Sequence, residues 1–182
     1  MALTYSNGLP LGTPMPPFAL QATSGTIVSS ASFDDAEILV VVFTCNHCPY
    51  VIASEDRLIA LQRDFADRGV RFVLISSNDA DRYPADSFEN MRRRAEEKDF
   101  PFPYLHDETQ EVARAYDAAC TPDIFVFDRE RKLRYNGRID DNWQEPDRVT
   151  REDLRAVLEA LLAGREIDFD PVPSMGCSIK WK

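Results

Sequence analysis

The stretch Ile38-Leu39-Val40-Val41-Val42-Phe43-Thr44-Cys45-Asn46-His47-Cys48-Pro49 decides the fold. Its apolar, largely β-branched first half predicts a strand buried on both faces. Beyond it, Val51, Leu58, Leu61 and Phe65 recur at helical spacing, and Gly69 stands where a helix places its C′ residue. Two cysteines separated by two residues therefore stand where a strand hands over to a helix. At such a junction the unpaired N–H groups and the helix dipole favour a thiolate, which is the reactive form of sulfur.

Working outward, Pro10, Pro14, Pro16 and Pro17 make residues 1–17 an extended N-terminal arm. Phe18–Gln21 and Thr26–Val28, on either side of Ser24-Gly25, read as a β-hairpin. Val70–Ile75 is a second buried strand, followed by a helix on which Phe88, Met91 and Ala95 share a face. Tyr104–Leu105 ends an extended segment, and Thr109 is placed to cap a short helix carrying Val112, Ala115 and Tyr116. Ile124–Phe127 and Lys132–Tyr135 read as an antiparallel pair around the turn Asp128–Arg131. Thr150 and Asp153 resemble a capping box before a helix lined by Leu154, Val157, Leu158 and Leu161 and ended by Gly164. The expected architecture is α/β: a mixed central sheet flanked by helices, with an N-terminal hairpin extension.

At 182 residues the chain is expected to form one domain spanning 1–182, with a C-terminal tail at 166–182. A formal net charge of −10 argues against nucleic acid and anionic membranes as partners. Arg92-Arg93-Arg94 is followed by Glu96-Glu97, which makes it a solvated helix face. Residues 1–20 show no basic, apolar leader and no span, so the cytoplasm is the expected compartment. Cysteines there point to catalysis or metal binding rather than a structural disulfide framework.

With spacing three, the Cys45 and Cys48 thiols lie on one side of a helix and can close a disulfide. One thiol would attack a substrate disulfide and the other would resolve the mixed disulfide. His47 lies between them, where an imidazolium would stabilise a thiolate. The competing reading is half of a zinc site. It needs two further ligands from Cys120, Cys177, His47 and His106, which form no second close pair. Pro49 leaves the roles open: proline suits the first helical position, which would make Cys48 the N-cap and the more activated thiol.

The order of buried strand, Cys-x-x-Cys, helix, Cys120-Thr121-Pro122 before an antiparallel strand pair, and final helix is similar to the thioredoxin superfamily. Within it the chain resembles the redoxin branch of AhpC/TSA, peroxiredoxin-like proteins carrying a Cys-x-x-Cys, over residues 12–165. The resemblance implies a thioredoxin-like fold with a cis Pro122 against the cysteine pair. It also implies that Thr121 offers backbone groups to substrate, and that Thr44, just before the first cysteine, belongs to the same substrate-binding segment. Cys120 would be an accessory thiol or a packing residue. The tail Gly176-Cys177-Ser178-Ile179-Lys180-Trp181 looks like the ending of this group, with Cys177 able to pair with Cys120 or another chain. Arg138 is a candidate to approach the pair from the loop after the second hairpin. His106 is expected to be a local loop residue.

The chain departs from its relatives in instructive ways. Asn46-His47 replaces the Gly-Pro of thioredoxin, while His before the second cysteine is as in disulfide oxidants of the DsbA type. Aligned with the peroxiredoxin pattern Pro-x-x-x-Thr-x-x-Cys on Cys48, the chain has Val41 and Cys45 for its proline and threonine but keeps Pro49. The leading expectation is a thiol-disulfide oxidoreductase in redox homeostasis, with Cys45 attacking, Cys48 resolving, His47 tuning and Pro122 clamping substrate. It would act on protein or small-molecule disulfides, take electrons from a thioredoxin- or glutathione-type donor, and need no cofactor or metal. The alternatives are an antioxidant thiol peroxidase with Cys48 peroxidatic and Cys45 resolving, and a redox-sensing or metal-binding module. Nothing in the sequence sets an oligomeric state.

Overall fold

A computed structural model describes residues 3–182. The apolar run forms β4 (Ile38–Thr44), in which every residue is buried. It lies parallel to β5 (Val70–Ser76) and antiparallel to β8 (Asp123–Phe127). With β2 (Ala19–Ala22), β3 (Ile27–Ser29), β6 (Tyr104–His106) and β9 (Leu133–Asn136) they form a seven-stranded mixed sheet in the order β3-β2-β6-β5-β4-β8-β9. This is the expected α/β, thioredoxin-like architecture.

The period-two geometry of β4 sends its side chains into two separate cores. Ile38, Val40 and Val42 pack with Leu58, Ile59, Leu61 and Phe65 of α1 (Pro49–Phe65). The same core takes Met91 of α2 (Phe88–Glu97), and Leu154, Val157 and Leu158 of α4 (Asp153–Leu162). Leu39, Val41 and Phe43 face the other way, toward Tyr116 and Ala113 of the segment around α3 (Glu111–Ala115). Burial on both faces explains why β4 shows no polar alternation.

Three local expectations change. Gln110, at φ +64°, is the N-cap of α3, and the Asp107 carboxylate accepts the Val112 and Ala113 amides at 3.4 and 2.9 Å. The Thr109 hydroxyl accepts the Glu111 amide at 3.4 Å, so it shares the cap with the stronger carboxylate acceptor. Glu152 is the N-cap of α4, because Thr150 is engaged by Asp141, which accepts its amide at 2.9 Å and its hydroxyl. Arg94 is no solvated face residue: its Nε donates to Glu55 Oε1 at 3.0 Å and its Nη2 to Oε2, a forked pair that lets Glu55 sit buried on α1. Gly69, at φ +80°, closes a short 3-10 turn over 66–68 that follows α1.

A second, three-stranded sheet has the order β1-β10-β7, with β1 (Leu3–Tyr5), β10 (Met175–Ser178) and β7 (Cys120–Thr121). The arm and the tail thus meet: Leu3, Thr4 and Tyr5 pair with Cys177, Gly176 and Met175, and Cys177 pairs with Thr121 on its other side. This sheet carries the tail across the strand-to-helix junction.

Candidate redox centre

Thr44 ends β4, and the chain turns through Cys45-Asn46-His47 before α1 begins at Pro49 with Cys48 as N-cap. Proline at the first helical position loses no bond, since that N–H has no intrahelical partner. Cys45 and Cys48 are both buried, at 2% and 0% exposure. The peptide Thr121–Pro122 is cis, as the resemblance implies. Thr121 reaches both sulfurs: its Oγ1 lies 3.5 Å from Cys45 Sγ, and its carbonyl oxygen lies 3.2 Å from Cys48 Sγ.

The two thiols have opposite acidities. Cys48 is lowered to about 5 by the Cys45 thiol donating to it, by the Cys177 thiol, and by the Val51 and Cys177 amides, all acting against its burial. Val51 is the third residue of α1, so its free amide is one of the donors a helix start presents. Cys45 is pushed up strongly because it is that donor, because it is buried, and because Asp86 is close. The contact of the two sulfurs favours one thiolate shared between them, and the donors at the helix start draw it toward Cys48.

Asp86 went unrecognised in the sequence. It is fully buried in the turn 84–86; its Oδ1 accepts the Asn46 amide at 2.8 Å, and its Oδ2 accepts from Asn78 Nδ2 at 2.7 Å. His47 Nδ1 lies 2.8 Å from the same Oδ2, and its ring stacks parallel to that of Tyr83 at 5.7 Å. Asp86 thus braces the turn that carries both cysteines. Cys45 Sγ, a His47 nitrogen and an Asp86 oxygen lie within 4.8 Å of one another, a donor set of thiol, imidazole and carboxylate. Its oxygens are already engaged by two amide donors, and its thiol is the one held protonated.

The tail supplies the other unforeseen element. Cys177 Sγ lies 2.9 Å from Cys48 Sγ and packs with Cys45, Cys48 and Val51 in one cluster. Its nearest sulfur is that of Cys48 and not the expected Cys120, because the register of β10 on β7 aims Cys177 at the helix start. Gly176 makes that approach possible: a β-carbon there would collide with the Thr121 carbonyl oxygen. A Gly-Cys pair in the tail was the available signal, but only the pairing partner gives it meaning.

Cys120 is buried, with its thiol directed to the carbonyls of Pro122 and Ser174 at 3.5 and 3.8 Å. Burial and the neighbouring Asp123 raise it, so it is a protonated packing thiol. Arg138, the candidate to approach the cysteine pair, donates through its Nε to the buried Asp153. With Pro122, Ile124, Tyr50, Arg57 and Trp143 it lines a cavity of about 120 Å³ beside the cis peptide. Arg57 secures the cavity wall, donating to Asp140 and to the Asn142 and Trp143 carbonyls, while Trp143 packs on Tyr50 at 4.1 Å. His106, expected in a loop, instead ends β6, paired with Gln21 and Ser76 and packed against Phe88, and desolvation lowers its pKa. Among the described residues no helix is long and apolar enough to cross a membrane.

This fold and this sulfur pair define a thioredoxin-fold protein of thiol-based redox function. The chain belongs to the AhpC/TSA family, whose model matches residues 11–136. An uncharacterized conserved protein from Geobacillus kaustophilus is 50% identical, with a TM-score of 0.94, over 100% of this chain and 97% of its own. A hypothetical protein from Sinorhizobium meliloti 1021 is 41% identical at the same TM-score, over 98% of each chain. A putative thiol:disulfide interchange protein DsbE from Chlorobium tepidum shares the fold at 20% identity, with a TM-score of 0.65, over 85% of this chain and 99% of its own. No curated protein matches the chain.

Proposed function

We propose that the chain is a thiol-disulfide oxidoreductase that acts as one domain in the cytoplasm. It would reduce protein or small-molecule disulfides with electrons from a thioredoxin- or glutathione-type donor. The observation that carries this reading is the placement of Cys48, the N-cap residue of α1 with a lowered thiol pKa, within reach of a second thiol and of the Thr121 backbone. The electrostatics favour the role assignment that Pro49 left open: Cys48 attacks, and Cys45, protonated and donating to it, resolves. Attack by Cys48 on a disulfide bonds it to one substrate sulfur and expels the other as thiolate. Cys45 then gives up its proton, attacks Cys48, and releases the second substrate sulfur, leaving Cys45–Cys48 oxidised by two electrons.

Other residues assist in stated ways. His47 and Asp86 hold the turn, Pro122 and Thr121 line the edge beside the sulfurs, Thr44 fixes the start of the turn, and the cavity beyond Pro122 offers an apolar seat to a substrate side chain. A second reading, an antioxidant thiol peroxidase, is favoured by one observation: the acidic thiol is Cys48, which occupies the peroxidatic position of the family pattern. Against it, the Arg138 guanidinium is already engaged by the buried Asp153.

Insulin reduction driven by dithiothreitol tests the first reading. The wild-type chain is expected to accelerate turbidity at least 100-fold over Cys48→Ser. A rate equal to that of Cys48→Ser contradicts it, and fast oxidation of Cys48 by hydrogen peroxide alongside that null result would establish the peroxidase instead.

A further inference from the structure

Cys177 is built onto the centre from a distance of 129 residues in the sequence, and nothing in a two-cysteine exchange requires it. Three features hold it there. Its sulfur is 2.9 Å from Cys48 Sγ, and its residue pairs with Thr121 on one side and Leu3 on the other. Gly176 next to it admits the Thr121 carbonyl where any side chain would collide. A buried thiol serving only as filler would not demand strand pairing on both edges and a glycine beside it.

We propose that Cys177 is a second resolving thiol, taking a mixed disulfide on Cys48 to an intramolecular Cys48–Cys177 disulfide. The inference deepens the reading above and rests on it only in taking Cys48 as the attacking sulfur. Cys48, Cys45 and Cys177 are exposed by no more than 2%, so forming an adduct on Cys48 requires the cover of the cluster to open locally. With the cover closed, Cys177 lies against the sulfur that carries the adduct.

The surroundings make Cys177 quiet before that step and competent during it. Burial and the adjacent Cys48 push it up to about 12 while Cys48 is a thiolate. Once Cys48 is bonded to substrate, its charge is gone and that cause disappears. Lys180 then still lowers Cys177, and the Cys48 contact that most raises Cys45 is likewise gone, leaving Asp86 to raise Cys45 and Thr121 to lower it. Both thiols can then compete for Cys48 Sγ, and Cys177 lies 2.9 Å from it.

The electron balance is simple. Cys48 thiolate attacks a disulfide and expels one thiolate; Cys177 loses a proton to solvent, attacks Cys48 Sγ and expels the second. Two protein thiols become one disulfide, and the substrate disulfide becomes two thiols.

The test uses 5,5′-dithiobis(2-nitrobenzoate) on the full-length Cys45→Ser/Cys120→Ser variant, in which Cys48 and Cys177 remain. The expected result is release of two thionitrobenzoates per chain and a Cys48–Cys177 cross-link in the peptide map. Adding Cys177→Ser should cut the release to one and leave a stable adduct on Cys48. A stable adduct with Cys177 intact overturns the inference. Should these variants lose their fold, substoichiometric diamide on the wild-type chain decides: Cys48–Cys177 peptides support it, and Cys45–Cys48 as the sole linkage overturns it. Insulin turnover by the wild-type chain is read separately, so loss of one activity does not conceal the other.

Discussion

The two sides of the sulfur cluster differ in what surrounds them. On the α1 side, Cys48 meets donors: the amides of Val51 and Cys177 and the thiols of Cys45 and Cys177. On the side of the turn 84–86, Cys45 meets a buried carboxylate, Asp86, which raises it. A motif symmetric in sequence is thus asymmetric in potential. On the reading proposed above, Cys-x-x-Cys spacing does not choose the nucleophile; the position of the helix start relative to the pair does. Pro49 sets that start, placing Cys48 rather than Cys45 at the N-cap.

Disrupting the donor side should have the larger effect. Gly176→Ala forces a β-carbon against the Thr121 carbonyl and displaces β10, taking both the Cys177 amide and its thiol from Cys48. Alkylation of Cys48 by iodoacetamide at neutral pH should then accelerate by roughly tenfold or more as the cover opens. The melting temperature should fall in line with a cost of about 1–3 kcal/mol for overpacking. Unchanged alkylation would mean that β10 does not cover the centre.

Disrupting the carboxylate side should have a smaller, more selective effect. Asp86→Asn removes the charge that raises Cys45 while an amide oxygen still accepts from the Asn46 backbone. The Cys45 titration should move down while Cys48 keeps its low value. A shift confined to Cys48 would show that the carboxylate acts through the helix start and would break the comparison.

Much of the platform was legible. The run 38–43 gave away a two-sided strand because burial on both faces leaves no polar alternation, and the helical stripe of α1 followed the same logic. The cis Pro122 came with the resemblance. What escaped depended on contacts between distant segments. Asp86 lies in a short turn with no periodic signal, and its role exists only through Asn46, His47 and Asn78. Cys177 looked like a tail thiol because strand pairing across 56 residues, from Cys177 to Thr121, leaves no local pattern. Arg94 read as part of a charged face because Glu55, its buried partner, belongs to another helix. Local chemistry was readable at the strand-to-helix junction, and assembly chemistry was not.

Thiolate absorbance near 240 nm, followed against pH in the reduced wild-type chain and in Cys45→Ser and Cys48→Ser, tests the central claim most directly. A lowered pKa means the sulfur ionises as pH rises through about 5, so the absorbance should step up there and activity should plateau above that step. The account predicts that this step disappears in Cys48→Ser and survives, moved upward by loss of the Cys45 donor, in Cys45→Ser. A step near 5 that persists in Cys48→Ser and vanishes in Cys45→Ser would contradict it.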